Sequence, residues 1–546
     1  MYLSYRKVAV LTVLMGLALA AGGAFYWYQQ AIYTASLDTR PLKVGIVGEI
    51  DTLQPTQLDS PEERLLASAL YEGLVAYDER TSSIKPRLAR SWKYSADHKT
   101  LVVELKKVNF SNGQPLTAEK VKAAWEKSFS TTKDWANISL FLPIEGSQAR
   151  LEGRTPTIAG LEAVDSNTLR IRLEKPNSAF LHMLTNPIFW VYDEAETTDP
   201  SPGIGPFILQ ASTEDHTIVM TRNEKYHQGP PRLSALQFAL YAEPYQAFGD
   251  FKINKLDYLN QVPLTEIKNI KNNPDYKERL VERYLWETYS LGFNMNRAPY
   301  AGNYLLRRAL NYAIDRNAII ETVLAGSYRA AKGVIPMGMP GYNKQLRGYA
   351  YDPERAKELL AEAGYPGGEG LKPLLLSFNS DQGHRAVAEA IAQQLNQLGI
   401  DVQLQDMEWD YYKKQLNAMD LTLFRVGWHA DYADADNFLF GMFHSSKVGI
   451  SNYSAYNNPQ VDKILDAARA ETKSNEERLK LLQRAEEIIV DDAPMLWLFQ
   501  KKAAALSGEN VRHLEMDGLG MVDWFKAELL KPSADGGGSS PSEEQV

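Results

Sequence analysis

The chain has 546 residues, of which 44% are hydrophobic and 23% charged, a composition typical of a globular protein with roughly three or four domain-sized units. Its net charge of −9 argues against nucleic-acid binding, which requires a surface of clustered Lys and Arg. Cysteine is absent, which excludes disulfides, thiolate metal sites, cysteine nucleophiles and the lipid-modified cysteine of a bacterial lipoprotein.

The N-terminus carries an apolar segment that follows two cations. Arg6 and Lys7 precede a run of mostly apolar residues from Val8 to about Tyr28. Residues 1–36 are therefore predicted to be either a cleavable signal peptide or a membrane anchor. In both cases the positive flank stays in the cytoplasm, so we expect the rest of the chain to be extracytoplasmic, whether anchored to the membrane or released by cleavage.

The centre of the chain alternates between strand and helix patterns. A strand is predicted over residues 289–295 and a helix over residues 304–324. A second unit has a buried strand at residues 374–378, a helix at 384–398 with apolar residues on one face, and an alternating strand at 400–404. This βαβ unit predicts two parallel strands with a right-handed crossover, and ligands of such sheets bind beyond the carboxyl ends of the strands.

The segment at residues 424–432 offers a partner for each end of a zwitterion. It is predicted to be a strand that runs into a loop, and it carries Arg425 and Asp431 six residues apart. A peptide has one negative and one positive end, so a cation and a carboxylate on one segment suit it. His384 stands in the first turn of a predicted helix, where free N–H groups favour a negative ligand.

Motifs of the common enzyme and nucleotide-binding classes are absent. The chain has no H-E-x-x-H, G-x-S-x-G, Walker P-loop or G-x-G-x-x-G motif, and its eight histidines show no metal-ligand spacing. Asp431, Asp434 and Asp436 form one tight acidic group, but a calcium loop needs further oxygen ligands in register. Asp434 and Asp436 are instead expected to cap the following helix. The sequence thus predicts no catalytic residue, no metal and no cofactor.

Short segments spread over residues 42 to 525 resemble the peptide-binding branch of the extracytoplasmic solute-binding proteins that feed ABC importers. Each segment is weakly specific, but their ordered succession is strong. They are residues 70–74 (LYEGL), 110–118 (FSNGQPLTA), 203–207 (GIGPF), 306–316 (LRRALNYAIDR), 352–360 (DPERAKELL), 456–462 (YNNPQVD) and 492–495 (DAPM).

The resemblance implies an α/β fold of two lobes, hinged like a type II periplasmic binding protein, with an extra domain on the first lobe. A ligand is enclosed when the hinge closes. The predicted boundaries are residues 42–75, 195–288 and 503–530 for lobe I, 76–194 for the extra domain and 289–502 for lobe II. Residues 531–546, rich in Gly, Ser and Glu, are predicted to be a disordered tail.

The resemblance also implies roles for particular residues. Asp431 matches an aspartate that pairs with the peptide's α-amino group, and Arg425 an arginine that holds the carboxylate of a short peptide. His384 matches a histidine that serves the carboxylate of a longer one, and Trp409 a tryptophan that lines a pocket. Their joint presence favours oligopeptides over dipeptides, nickel or haem. The other candidates are Gly427 and His429, whose main chain is expected to pair with the peptide, and Trp428, whose ring suits a roomy pocket.

Each candidate also has a structural interpretation. Arg425 would pair with a buried carboxylate of the protein itself, and Asp431 would serve as a turn or cap residue. His384 would only begin a helix, and Trp409 would pack in a core or at its rim. One family contact is in doubt on sequence alone, because Pro61, in a stretch whose main chain pairs with the peptide in the family, has no N–H to donate.

The expected function is capture of short peptides between the lobes and delivery to an ABC permease, by a monomer without a nucleic-acid partner. The first alternative is a receptor of the same fold that senses cell-wall or signalling peptides. The second is a carrier of a non-peptide solute, such as a sugar or a metal complex. The third is a hydrolase that uses the acidic loop.

Overall fold

The computed structural model describes residues 36–131, 135–196, 198–213 and 216–532. The predicted signal or anchor, apart from its last residue, and most of the predicted tail lie outside these residues. Within the described part of the chain, no helix combines the length and hydrophobicity needed to cross a membrane.

The strands define two sheets of more than two strands and two small ribbons. In chain order the strands are β1 (Leu42–Val47), β2 (Val75–Asp78), β3 (Ser83–Pro86), β4 (Ala89–Tyr94), β5 (Thr100–Leu105), β6 (Leu161–Asp165), β7 (Thr168–Arg172), β8 (Phe207–Thr213), β9 (Thr217–Arg222), β10 (Ala235–Tyr241), β11 (Tyr258–Leu259), β12 (Leu280–Phe293), β13 (Tyr328–Ala330), β14 (Leu374–Asn379), β15 (Val402–Met407), β16 (Leu423–His429), β17 (Met495–Ser507), β18 (Val511–Arg512) and β19 (Glu528–Leu529).

The helices lie between and around these strands. In chain order they are α1 (Pro61–Ala67), α2 (Ala118–Thr131), α3 (Trp135–Ile138), α4 (Ser147–Leu151), α5 (Phe180–Met183), α6 (Pro244–Lys252), α7 (Ile267–Asn272), α8 (Pro274–Lys277), α9 (Tyr304–Ala313), α10 (Arg316–Thr322), α11 (Pro353–Glu362), α12 (Gln382–Asn396), α13 (Trp409–Asn417), α14 (Ala435–Phe443), α15 (Pro459–Ala470) and α16 (Asn475–Asp492).

Two long antiparallel strands, β12 and β17, join the two halves of the main sheet. The strand order is β15-β14-β16-β12-β17-β11-β1-β10-β9-β8, with β13 also on β17. The pairing of β12 with β17 changes register between Tyr284 and Thr288. This break lies beside the predicted boundary between lobes I and II, and we propose that the hinge is there because a broken ladder resists bending less than a continuous one.

The predicted extra domain has its own sheet and its own core. Strands β4, β5, β7 and β6 form a four-stranded antiparallel sheet. Every buried member of the adjoining hydrophobic cluster comes from residues 74–204 except Tyr432, which enters from the loop after β16. Tyr432 therefore ties this domain to the part of the chain that carries Asp431.

The βαβ unit predicted in the centre is confirmed. Strands β14 and β15 are parallel in register from Leu374 with Val402 onward, and α12 connects them. The prediction of a single helix over residues 304–324 is wrong, because the structure has two helices there, α9 and α10. Ile314 is extended between them, and the side chain of Asp315 accepts a hydrogen bond from Ala318 N at 3.0 Å, which starts the second helix.

Two ion pairs anchor the loop between β16 and α14. Asp434 is fully buried and receives both terminal nitrogens of Arg478 at 2.6 and 3.0 Å. It also caps α14, as predicted, by accepting from Asp436 N at 2.9 Å. Asp436 does not act as a cap, since its carboxylate receives two bonds of 2.8 Å from Arg469. Among the residues that the structure describes, no group of His, Asp and Glu is arranged to hold a metal ion.

The buried pair of Asp434 and Arg478 makes the loop sensitive to mutation. Replacing Arg478 by Met leaves Asp434 buried without its counter-ion, so we expect the free energy of unfolding to fall by about 3–5 kcal/mol. Adding Asp434→Asn retains the helix cap and removes the isolated charge, so most of the loss should return. Urea unfolding followed by circular dichroism measures both effects.

The matched control is Arg484→Met on the same helix, where the side chain is 60% exposed. Its change should stay below about 1 kcal/mol because exposed ion pairs contribute little. A loss in Arg478→Met no larger than in this control would contradict the prediction.

Burial alone would raise the pKa of Asp434, but Arg478 lowers it overall. The stabilisation of the folded state by this ion pair is therefore fully present above the pKa that Asp434 has in the unfolded chain. It is lost as pH falls through the lower pKa that Asp434 has in the folded protein.

Candidate functional site

Arg425 lies on β16 with its side chain across the neighbouring strand. Its guanidinium carbon is 4.9 Å from the centre of the Tyr289 ring on β12. The register places Tyr289 opposite Gly427. A Cβ atom at Gly427 would lie 2.9 Å from Nη2 of Arg425, so a larger residue there would displace the guanidinium from this position. Gly427 thus has a steric role in addition to the main-chain role predicted for it.

Arg425 has no carboxylate partner among the residues that the structure describes. The side chain is half-buried, and its Nε is buried without a hydrogen-bond acceptor. Its interpretation as one half of an internal ion pair is therefore not supported. A half-buried cation without a counter-ion is costly, and a ligand carboxylate would offset that cost.

His384 lies close to Arg425, since both contact the ring of Tyr289. Its ring lies 5.5 Å from that of Tyr289, measured between centres, so Tyr289 contacts both Arg425 and His384. Burial first, and the nearby Arg425 second, lower the pKa of the His384 imidazole to about 4. Asp381 caps the helix by accepting from His384 N at 2.9 Å, which fixes the position of the residue. His384 is thus neutral at pH 7 and responsive to the charge of a ligand.

An ion pair on the strands that cross between the lobes acts on the same site. Lys501 Nζ of β17 is 3.3 Å from a carboxylate oxygen of Glu287 on β12, with the two side chains 42% and 22% exposed. Both charges also act on the pKa of His384. No local pattern in the sequence predicts this pair, because it depends on the antiparallel pairing of distant strands.

Asp431 lies just beyond the end of β16, between lobe II and the extra domain. Its carboxylate accepts from Asn437 Nδ2 at 2.9 Å, and its main-chain N–H donates to Asn437 Oδ1 at 3.1 Å. Asn186 of the extra domain donates to the main-chain oxygen of Asp431 at 3.0 Å. Two asparagines that the sequence analysis missed therefore hold Asp431 in position.

The edge of β16 next to this site is partly open. On one side β16 pairs with β12 as far as His429, but on the other side β14 pairs only with Leu423 and Phe424. Among the described residues, the stretch from Val426 to His429 thus has a strand partner on one side only. An extended ligand can add to such an edge as a further strand.

The structure places the two candidate tryptophans differently. Trp409 begins α13, is 49% exposed, and lies parallel to the Tyr412 ring at 6.3 Å. The hydroxyl of Tyr412 donates to the main-chain oxygen of Arg425, which links Trp409 to the site. Trp428 lies three residues after Arg425, so it points to the opposite face of β16. It packs on the core of lobe II, and its Nε1 donates to Asn437 at 2.9 Å.

His429 bonds through its ring, a contact that the sequence did not predict. Burial first, and Arg64 of α1 second, lower the pKa of His429 to about 4. The neutral ring donates from Nε2 to the main-chain oxygen of Leu519 at 3.2 Å. A loop of lobe I thus closes one side of the site.

The stretch at residues 59–61 is less available to a ligand than the family resemblance implies. The main-chain N–H groups of Asp59 and Ser60 both donate to the buried carboxylate of Glu63, at 2.7 and 3.1 Å. Pro61 has no N–H to offer. These donors are therefore already satisfied within the protein.

Known proteins of similar sequence and structure agree with this architecture. The family model described as "Bacterial extracellular solute-binding proteins, family 5 Middle" matches residues 83–449. Heme-binding protein A of Haemophilus influenzae is 30% identical over 78% of this chain and 81% of its own length. The oligopeptide-binding protein OppA of Bacillus subtilis is 26% identical over 90% of this chain and 92% of its own.

A solved structure supports the same fold. The murein tripeptide binding protein MppA of Escherichia coli superposes with a TM-score of 0.76 at 25% identity, over 91% of this chain and 100% of that chain. The predicted two-lobed α/β fold is thereby confirmed for the described residues. The extent of the family match shows that this chain belongs to the bacterial extracellular solute-binding proteins of family 5.

Proposed function

We propose that the chain captures short peptides between its lobes and delivers them to an ABC permease. The observation that carries this proposal is the half-buried guanidinium of Arg425, which lacks a carboxylate partner and lies beside the open edge of β16. A peptide laid along that edge has a carboxylate to offer at one end. Its α-amino group would reach Asp431 beyond the end of the strand.

The arrangement suits a receptor that accepts many sequences. Main-chain N–H and C=O groups are common to all peptides, and strand addition pairs them without reading side chains. The two charged ends must also be paired once the lobes close, since unpaired buried charges are costly. Trp409 is exposed enough to offer an aromatic wall to side chains of different sizes.

The proposal also covers location, oligomeric state and catalysis. The protein acts outside the cytoplasm as a monomer and binds its ligand without catalysis. Its attachment to the membrane, if the apolar segment at residues 8–28 is retained, replaces the lipid anchor that would need a cysteine. The boundaries proposed for lobe I, the extra domain and lobe II are those predicted from the sequence.

A non-peptide solute is the second candidate, because the relative with 30% identity is named a heme-binding protein. A haem offers carboxylates to Arg425 but has no amine for Asp431. The two candidates therefore differ at Asp431, where only a peptide needs the carboxylate.

Replacing Arg425 by Ala should weaken binding of tri- to pentapeptides by about 2–5 kcal/mol, because the peptide carboxylate would be buried without its partner. Asp431→Asn should weaken peptide binding by a similar amount and leave haem binding unchanged. Isothermal titration calorimetry of the purified protein measures both affinities, and native mass spectrometry identifies any ligand retained from the cell.

The chain offers a matched control for each variant. Arg347 and Asp401 are exposed, so Arg347→Ala and Asp401→Asn remove the same charges elsewhere on lobe II. Peptide binding at parental affinity in Arg425→Ala would sink the proposal. Haem binding that depends on Arg425 but not on Asp431, without any peptide binding, would establish the second candidate.

Peptide binding should take up a proton at His384. The pKa of His384 is about 4 in the free protein, and a peptide carboxylate placed beside it would favour the charged imidazole and raise that pKa. Affinity is therefore expected to increase as pH falls from about 7 toward 5, while the peptide carboxylate is still ionised. Calorimetry at about pH 5 in buffers of different ionisation enthalpy counts the protons taken up.

The proton uptake should disappear in His384→Gln and persist in His513→Asn, which alters a histidine that is 61% exposed. Asp381, Glu287 and Lys501 also act on His384, so their charges must stay constant over the pH range used. Equal uptake in the parent and in His384→Gln would show that another group takes the proton.

A further inference from the structure

A cavity of about 690 Å³ lies away from Arg425, between the extra domain and lobe I. One wall is formed by residues 106–113, after β5, and the other by Asn223, Lys225, His227 and Gln228, after β9. None of the candidate peptide-binding residues lines it. Its volume is in the range of sites that hold small molecules.

The lining of the cavity is basic, although the whole chain has a net charge of −9. Lys106, Lys107 and Lys225 line it, and no Asp or Glu does. Among the described residues, none of these three lysines forms an ion pair with a carboxylate. Three unpaired ammonium groups around one concavity produce a local positive potential that attracts anions.

Four acidic residues lie near the cavity without lining it. Two of them, Asp193 and Glu196, accept from Nδ2 of Asn112 in its wall at 3.0 and 3.4 Å. Glu72 lies behind the wall, where it binds His227 Nε2 at 2.7 Å and faces Arg87 at 3.8 Å. Glu224, next to Lys225, pairs with Arg222 at 2.7 Å. Glu72 acts on Lys106 from behind the wall, but among the described residues no carboxylate forms an ion pair with any of the three lysines.

The walls are fixed by hydrogen bonds within the protein. The side chain of the buried Asn223 donates to Gly205 O at 3.1 Å and accepts from Lys225 N at 3.1 Å. In the opposite wall, Gly113 N donates to Phe110 O at 2.9 Å in a tight turn. Burial, only partly offset by Glu72, lowers the pKa of Lys106, so a bound anion would stabilise its charged form.

We propose that this cavity is a second binding site, which takes a phosphate-bearing ligand. Lysine binds phosphate as a point charge from any direction, and three lysines match the multiple charge of a phosphate group better than the single charge of a carboxylate. The site is separate from the proposed peptide site and does not depend on it.

Two sources could supply the phosphate: a soluble compound or the headgroup of an anionic lipid. The wall that begins at Asn223 continues along the chain to Ser234, whose hydroxyl donates to Thr39 O at 2.6 Å. The first described residues, which follow the apolar N-terminal segment, thus contact the same loop. Both sources present a phosphate group to the same three lysines, and binding to lipid vesicles distinguishes them.

Titration calorimetry of the full-length protein with pyrophosphate at low ionic strength tests the proposal. We expect saturable binding that weakens at least about tenfold in the variant Lys106→Gln/Lys107→Gln/Lys225→Gln, because the attracting charge is removed. The variant with Arg at the same three positions keeps the charge and should bind pyrophosphate.

The matched control is Lys268→Gln/Lys372→Gln/Lys463→Gln, which removes three exposed lysines outside the cavity. The far-UV circular dichroism and the melting temperature should be those of the parent in all variants, which shows that they fold. No saturable binding to the parent, or equal binding in the cavity and control variants, would overturn the proposal.

Co-sedimentation with vesicles distinguishes the two sources. If the parent is retained on phosphatidylglycerol vesicles more than on phosphatidylcholine vesicles, and the cavity variant loses this difference, the ligand is a lipid headgroup. If the parent and the cavity variant sediment alike while pyrophosphate binding still depends on the cavity lysines, the ligand is a soluble phosphate compound.

Discussion

The site is built around one unbalanced charge, the half-buried guanidinium of Arg425. Other arginines of lobe II are satisfied within the protein: Arg478 and Arg469 pair with Asp434 and Asp436. The buried Arg307 and Arg316 donate to main-chain oxygens instead. Arg425 rests instead on the Tyr289 ring, over a glycine that leaves it room. A ring face stabilises a cation less than a carboxylate does, so the protein retains a cation that an anionic ligand can satisfy.

The same strands that hold Arg425 also join the lobes. Strand β16 pairs with β12 immediately above the register break, and β17 continues on the other side of β12. Glu287 lies at the break itself, and Lys501 pairs with it from β17. A change of angle at the break would therefore move lobe I, with Arg64 and Leu519, relative to Arg425 and His429. With the hinge at the proposed position, closure and charge pairing would be coupled, because both use one set of strands.

Asp431 differs from Arg425 in how it is held. Its main chain and carboxylate bind Asn437, and its carbonyl oxygen binds Asn186 from the extra domain. The next residue, Tyr432, is buried in the core of that domain. The loop proposed to receive the amino end of a peptide is thus fixed by two parts of the molecule, whereas Arg425 and His384, proposed for the carboxylate end, both belong to lobe II.

The sequence by itself determined the local units: the parallel strands β14 and β15 with their connecting helix, and the cap at Asp434. These follow from periodicity and capping, which act over a few residues. The candidate roles of His384, Arg425 and Asp431 came instead from the resemblance to a known family. The side of the sheet occupied by Trp428 was also predictable, because a residue three positions from Arg425 on a strand must face the other way.

Only the tertiary structure decided whether Arg425 has an internal partner, which asparagines hold Asp431, and where Lys501 meets Glu287. Each of these depends on residues that are distant in the sequence and come together through the pairing of β12 with β16 and β17. Charge, burial and hydrogen bonding at a site are properties of such pairings, and no local pattern in the chain contains them.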